Sequence, residues 1–394
     1  MNTTGNININ ISIPPSSPRL PNSLIPHNTS HAPPQYFKKK SSNGSFQLLS
    51  TTSKLSAIQC SQSSSSGGLL ATPPTSLTNG WAEFANKVSG EWDGFGADFT
   101  EQGKPMELPE CVVPEAYREW EVKVFDWQTQ CPTLAHHSNF SFDYKLIRLL
   151  PTVGCEADAA TRYSVDHRTI TTPSSCTAFA YHPTTGCYVA AWAASTLELE
   201  LEHCLIDPRD KESRVRIIQV LRCLLRLRGD DDDSNPTPTP TPTPVLELQT
   251  VKVFREQWYG PFRDGDQLGG CAIRDSAFAS TPPLDASQII GVWEGPIATA
   301  TFLNSPSPPP KNVIPQQLNH CSTMVTVRDE APNLVLLPNQ LWCCLKDTEI
   351  SGETCCEAGW LLDKGSLITS NCIFSKTGDL KQVAIAYQHA TQPQ

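Results

Sequence analysis

The chain has 394 residues, 39% of them hydrophobic, and carries 30 Lys and Arg against 40 Asp and Glu, a net charge of −10. This length is enough for two domains with full cores, and the acidic balance argues against a nucleic-acid groove or an anionic-membrane patch. No apolar stretch approaches the roughly 20 residues of a bilayer-spanning helix, so a transmembrane segment is not expected.

The first acidic residue is Glu83, and residues 1–60 are Ser- and Pro-rich with only Arg19, Lys38, Lys39, Lys40 and Lys54 as charges. That composition is expected of a chloroplast transit peptide, with processing near Ser56 to Cys60 and a disordered linker over 61–79. Its removal would leave 25 basic residues against 40 acidic ones, a net charge of −15. Trp81, Phe84 and Val88 then fall at helical spacing and predict a short amphipathic helix able to close a barrel mouth.

Directly after it stands Gly90-Glu91-Trp92-Asp93-Gly94, and the same pattern returns as Gly291-Val292-Trp293-Glu294-Gly295. Strand-like segments follow the first copy at Trp92 to Thr100, Trp120 to Gln128, Phe140 to Leu150, Thr161 to His167, Thr177 to Tyr181, Cys187 to Ala194, Leu197 to Ile206, Arg214 to Arg228 and Leu246 to Tyr259. The alternation is clearest in Leu197-Glu198-Leu199-Glu200-Leu201-Glu202, with every Leu on one face and every Glu on the other. In the next segment Arg214, Arg216, Arg222, Arg226 and Arg228 share a face opposite Val215, Ile217 and Leu221. A hairpin through Asp207 to Asp210 would pair Glu with Arg across strands and is expected to form an outer, wet wall.

The Asp-rich and Thr-Pro stretch at 229–244 reads as an expanded hairpin tip within a first unit over 80–264. A linker follows at 265–287, and a smaller second unit at 288–390 has strand patterns at Ala298 to Leu303, Cys321 to Val327, Leu334 to Leu337, Leu341 to Leu345, Ala358 to Leu362, Ser366 to Phe374 and Gln382 to Gln388.

The repeated pentapeptide resembles the first-strand signature of lipocalin and calycin barrels. Together with Trp120-Glu121-Val122-Lys123-Val124-Phe125-Asp126-Trp127-Gln128, it makes residues 80 to 390 similar to a plant and cyanobacterial lipocalin-like family of uncharacterised function. The resemblance implies an all-β fold of two tandem lipocalin-like (calycin) antiparallel barrels and a chloroplast setting, stroma included. It implies that Gly90 and Gly291 allow the tight turn into the strand, that Trp92 and Trp293 plug one barrel end, and that an Arg on the last strand packs over the plug. Arg255 matches that role for Trp92. Val383 to Gln388 has no Arg, so Trp293 must be closed differently or left looser.

Trp120, Phe125, Trp127, Tyr144, Trp192 and Trp258 lie on expected barrel strands and are the candidates for lining a pocket, against the plainer reading that they are core. Cys343, Cys344, Cys355 and Cys356 flank a turn at Ser351-Gly352 and are candidate redox thiols, but alternation sends each adjacent pair to opposite faces. That geometry opposes a tetrahedral zinc site and leaves a cross-strand disulfide or simple burial. The adjacent pair His136-His137 is no better as a metal site, and no phosphate loop or Gly-x-Ser-x-Gly elbow occurs, so no catalytic residue is assigned. The leading expectation is a soluble stromal carrier of an apolar or amphipathic small molecule, such as a lipid, carotenoid or tetrapyrrole, held in the lumen of the first barrel. The rival is an assembly or scaffold protein acting through a chloroplast protein partner, with a pigment lyase or isomerase as a third reading. A filled lumen would favour the rival.

Overall fold

The amphipathic stretch ahead of the first Gly-x-Trp folds as α1, Thr75–Val88, with Trp81, Phe84 and Val88 wholly buried along one stripe. The computed structural model describes residues 75–153, 161–171, 174–226, 243–266, 278–302, 313–329, 333–348, 352–376 and 378–391. The expected transit segment at 1–60, residues 61–74 of the 61–79 linker, most of the 229–244 loop and part of the 265–287 linker lie outside them, while residues 75–79, expected as disordered linker, already belong to α1.

The chain is all-β in character. The first sheet takes β1 Glu91–Thr100, β2 Trp127–Gln130, β3 Thr133–Ala135, β4 Phe142–Leu149, β5 Arg162–Thr169, β6 Cys176–Tyr181, β7 Tyr188–Ala193, β8 Glu198–Ile206, β9 Ser213–Arg226 and β10 Thr243–Gly260. The second half supplies β11 Gly291–Thr301, β12 Gln316–Gln317, β13 Asn319–Arg328, β14 Leu334–Leu337, β15 Leu341–Thr348, β16 Glu353–Asp363, β17 Ser366–Phe374 and β18 Leu380–Ala390. The first sheet runs β12-β6-β7-β8-β9-β10-β1-β2-β4-β3 with β5 beside β4, and the second runs β13-β11-β18-β17-β16-β15-β14. β12 crosses from the second half to pair in parallel with β6.

Both sheets curl. Phe142 on β4 and Tyr188 on β7 are six ladder steps apart, roughly 29 Å in a flat sheet, yet their ring centroids are 5.0 Å apart. Arg328 on β13 and Glu357 on β16 are four steps apart, roughly 19 Å if flat, and they form a 2.6 Å ion pair. Among the described residues no ladder joins the two ends of either sheet. Each is a curled half-barrel, and in the first α1 packs against β3 and β12 beside the gap.

Three expectations change. The stretch from Trp120 to Asp126 is not strand: Pro114 starts α2, Glu115–Glu119, and Glu121 takes a left-handed φ of 54° that breaks the apparent alternation before β2 begins at Trp127. β3, three residues long, carries too little pattern to be read from sequence. The third correction concerns β8 and β9, which pair as expected, Glu198 with Arg222 and Cys204 with Arg216. Their charged face, however, is the inner one: Glu202, Arg214 and Arg216 have no exposed surface. The apolar face of Leu201, Leu205, Val215 and Ile217 belongs to one core with Cys343, Cys356, Ile368 and Phe374 of the second sheet. His203 Nδ1 lies 2.9 Å from Ser370 Oγ, and Gln219 Nε2 donates to the Cys344 carbonyl at 3.3 Å across the same contact. Covering this apolar face stabilises the pair of sheets, and it turns the charges into the first half-barrel, where each must find a partner.

Candidate functional site

The two pentapeptides build the same local structure. Gly90 and Gly291 adopt φ of 151° and 135°, conformations that favour glycine. The Trp92 indole donates to the Val88 carbonyl at 3.0 Å and the Trp293 indole to the Ile289 carbonyl at 2.8 Å, four residues back in both copies. A Cβ on Gly94 would lie 1.9 Å from the Arg255 carbonyl oxygen, and one on Gly295 would lie 2.0 Å from that of Tyr387. The terminal glycine of the motif is therefore where the last strand of each half crosses closest.

Above Trp92 the first half-barrel is packed with its own side chains. The Arg214 guanidinium stacks 4.1 Å over the Trp92 ring, which corrects the expectation for Arg255: that residue is exposed and donates to Asn339 Oδ1 at 3.0 Å. Arg255 alternates outward on β10, whereas Phe254, Glu256 and Trp258 share the inner face. Arg214 and Arg216 donate to Glu256 at 2.7 to 3.0 Å. Arg216 also reaches Glu202 at 3.1 Å, and Glu202 accepts from Tyr144, Tyr188 and Trp192 at 2.7, 2.8 and 2.8 Å. Burial acts to raise both carboxyls, but the arginines outweigh it and hold Glu202 and Glu256 below the usual range. Burial, then the Glu202 charge, pushes the Tyr144 and Tyr188 hydroxyls well above theirs. Toward the other end Glu200 binds Lys252 at 2.8 Å and also Arg168, which lies over the Trp192 ring. The buried Glu202 and Glu256 carboxylates are thus each paired with a guanidinium, and the Tyr144 and Tyr188 hydroxyls are held protonated.

The second half-barrel is built differently. Trp293 is closed by an apolar cluster of Leu284, Ile289, Trp342, Leu361 and Leu367 instead of a stacked cation, so the missing Arg on its last strand has a hydrophobic replacement. Arg328 pairs with Glu357 at 2.6 Å and donates to Gln388 Oε1 at 3.3 Å, while Gln388 Nε2 donates to Thr326 Oγ1 at 2.8 Å. Beyond this floor the concave face stays half-buried at Ile297, Ala384, Asn371, Glu357 and Cys355, with Met324 exposed.

Of the aromatic candidates, Tyr144 and Trp192 are fully buried on Glu202 and belong to the filled interior. Phe125 packs at the margin of the core, Trp258 is half-buried with its indole donating to the Ser89 carbonyl at 3.4 Å, and Trp127 stacks on Tyr163. Trp120 is 63% exposed and lines nothing. Cys343 and Cys344 do face opposite ways, as do Cys355 and Cys356, and all four are free thiols. Register sets Cys356 opposite Cys372, a neighbour that the spacing of the turn did not reveal. Burial raises all of these thiols above the usual range. Among the described residues no group of three or more His, Cys, Asp or Glu is arranged to hold a metal, and no helix is long and apolar enough to cross a membrane. Glu202, Glu256, Arg214 and Arg328 were not singled out in sequence as inner-face residues. The available signal was the mixing of Phe254, Glu256 and Trp258 on one face.

Fold and interior together define a class: an all-β protein of two curled half-barrel sheets with a buried aromatic and ionic cluster, compatible with a calycin-like fold. A solved structure it resembles is a protein of unknown function of the DUF3598 family from Nostoc punctiforme PCC 73102, at 13% identity and a TM-score of 0.43, covering 79% of this chain and 99% of that one. No protein-family model matches the chain. No curated protein matches it either.

Proposed function

We propose that the chain is a chloroplast small-molecule-binding protein of calycin type, in which the first half-barrel is a rigid support and the second offers the binding surface. The observation that carries this reading is the contrast between the two interiors. The first is filled by Tyr144, Tyr188, Trp192 and the paired Glu202, Glu256, Arg214 and Arg216, all buried. The second keeps Ile297, Ala384, Asn371 and Cys355 half-buried above its tryptophan floor. A concave face with an apolar floor and a few polar groups suits an apolar or amphipathic molecule such as a lipid, carotenoid or tetrapyrrole. Native purification from chloroplasts followed by mass spectrometry of bound small molecules tests it. A preparation that carries nothing, and takes up neither pigment nor fatty acid, rejects the carrier reading. Fusion of residues 1–60 to a fluorescent reporter tests the compartment.

A second reading, an assembly protein with a protein partner, draws on β13. It is the last strand of its sheet among the described residues, and Val325 and Val327 are 57% and 62% exposed beside Val292 at 41%. Exposed apolar edges invite strand addition. Co-purification of a stoichiometric partner that is lost with Val325→Lys favours this reading.

A further inference from the structure

A strand at the rim of a sheet is normally kept from pairing with another chain by being short, charged, proline-bearing or covered. Among the described residues the rims of both sheets follow that rule except at β13. β12, β3 and β14 have two, three and four residues. β14 is covered as well: the Leu284 amide donates to the Leu337 carbonyl at 3.0 Å, and Pro283 bridges Pro338. β5 is longer but carries Arg162, Asp166, His167 and Arg168. β13 has ten residues with no Lys, Asp, Glu or Pro, and its Arg328 is turned inward onto Glu357. Residues 322–325 are exposed on both faces. On the outer face Val325 and Val327 stand exposed beside Val292 of β11. A bulge between Ile297 and Ala298 limits the regular ladder with β11 to residues 322–328, whose midpoint is Val325.

We propose that β13 pairs with β13 of a second copy of the chain, antiparallel about a two-fold axis at Val325. In that register Val325 faces its own counterpart, and Val327 faces Thr323 once on each side of the axis. These are β-branched pairs, which suit cross-strand packing. The chain's net charge of −10 opposes self-association over most of its surface, and a neutral edge is where that opposition is weakest. In the ladder rows of residues 322–327 the one charged side chain is Glu294, opposite Val325. Across the axis two such glutamates would stand three strand spacings apart, roughly 14 Å, beyond the screening length of about 8 Å. A charged partner would find nothing on this edge to pair with, whereas a second copy brings the same valines and threonines. The proposal rests on the strand-addition reading of β13 above and names the strand that is added.

Sedimentation equilibrium of the full chain tests it. The wild type should be a dimer at about 10 μM. Val325→Lys sets two ammoniums opposite each other and Val325→Glu two carboxylates, and each should weaken dimerisation about tenfold or more. Mixed in equal amounts, the two variants should recover a one-to-one heterodimer, because Lys then faces Glu. That recovery requires Val325 to meet its own counterpart. A wild type that stays monomeric up to about 100 μM overturns the proposal. So does a dimer that Val325→Lys leaves intact, and so do two folded variants that stay monomeric when mixed. Should a variant misfold, backbone hydrogen exchange of the wild type decides: protection of residues 322–328 that rises with protein concentration supports the pairing, and protection that does not rise overturns it. A monomer that holds a different protein through β13 keeps the strand-addition reading and overturns self-pairing, and a monomer with no partner ends both.

Discussion

Glu256 and Gln388 stand at the same place in the two halves, each with its Cα 2.8 Å from where a Cβ on Gly94 or Gly295 would sit. The first is a carboxylate holding two buried arginines, and the second is an amide that accepts from one arginine and donates to Thr326. One difference at a repeated position thus separates a carboxylate shared by two arginines from an amide that serves one.

Glu256→Gln should be far more damaging than a surface change, because it leaves Arg214 and Arg216 buried with only Glu202 as carboxylate. Loss of one partner from a buried ion network costs about 3–5 kcal/mol. Urea unfolding should show that loss. A change under about 1 kcal/mol would mean that water already enters the first half-barrel.

The motif glycines make a sterically decided prediction. Gly94→Ala and Gly295→Ala place a Cβ against backbone at 1.9 and 2.0 Å, where nothing flexible can yield, while Gly260→Ala meets nothing within 4 Å. The first two should destabilise by at least about 1–3 kcal/mol and the third by far less. Similar melting temperatures for all three variants would contradict the shared strand crossing.

Acid stability should depend on the contact between the two sheets. Burial pushes the His203 imidazole down to about 4 from 6.5. It remains neutral in the folded state while the unfolded chain gains a proton, so its stabilising share is complete above pH 6.5 and is lost as pH falls toward 4, by up to roughly 3 kcal/mol. Asp126, pushed up to about 7 by burial, has the opposite sign and loses stability as pH rises from about 4 to 7. His203→Gln should therefore remove a rising slope between about pH 4 and 6.5, and Asp126→Asn a falling one. Denaturation across that range that leaves both slopes unchanged would refute the assignment.

Thiol reactivity should follow exposure. Among the described cysteines Cys111 is exposed, whereas Cys343, Cys344, Cys356 and Cys372 are buried with thiols raised above the usual range. Since the thiolate is the reactive form, iodoacetamide should modify Cys111 before Cys343, Cys344, Cys356 and Cys372 in the folded protein, as read by peptide mass mapping. Early modification of Cys356 would mean that the two sheets part readily.

The duplication, the amphipathic helix before Trp92 and most strands, including Leu334–Leu337 and Ser366–Phe374, are legible in the residues alone. These are local matters, set by periodicity and by glycine at a turn. The sharing of one face of β8 and β9 by Glu and Arg is equally legible there. That this face points inward, that Arg214 and not Arg255 covers Trp92, and that Trp120 reaches solvent follow from packing between the elements. Alternation distinguishes two faces of a strand but reads the same whichever one is covered. That choice belongs to the partner sheet, which buried the leucines and obliged the charges to pair inside.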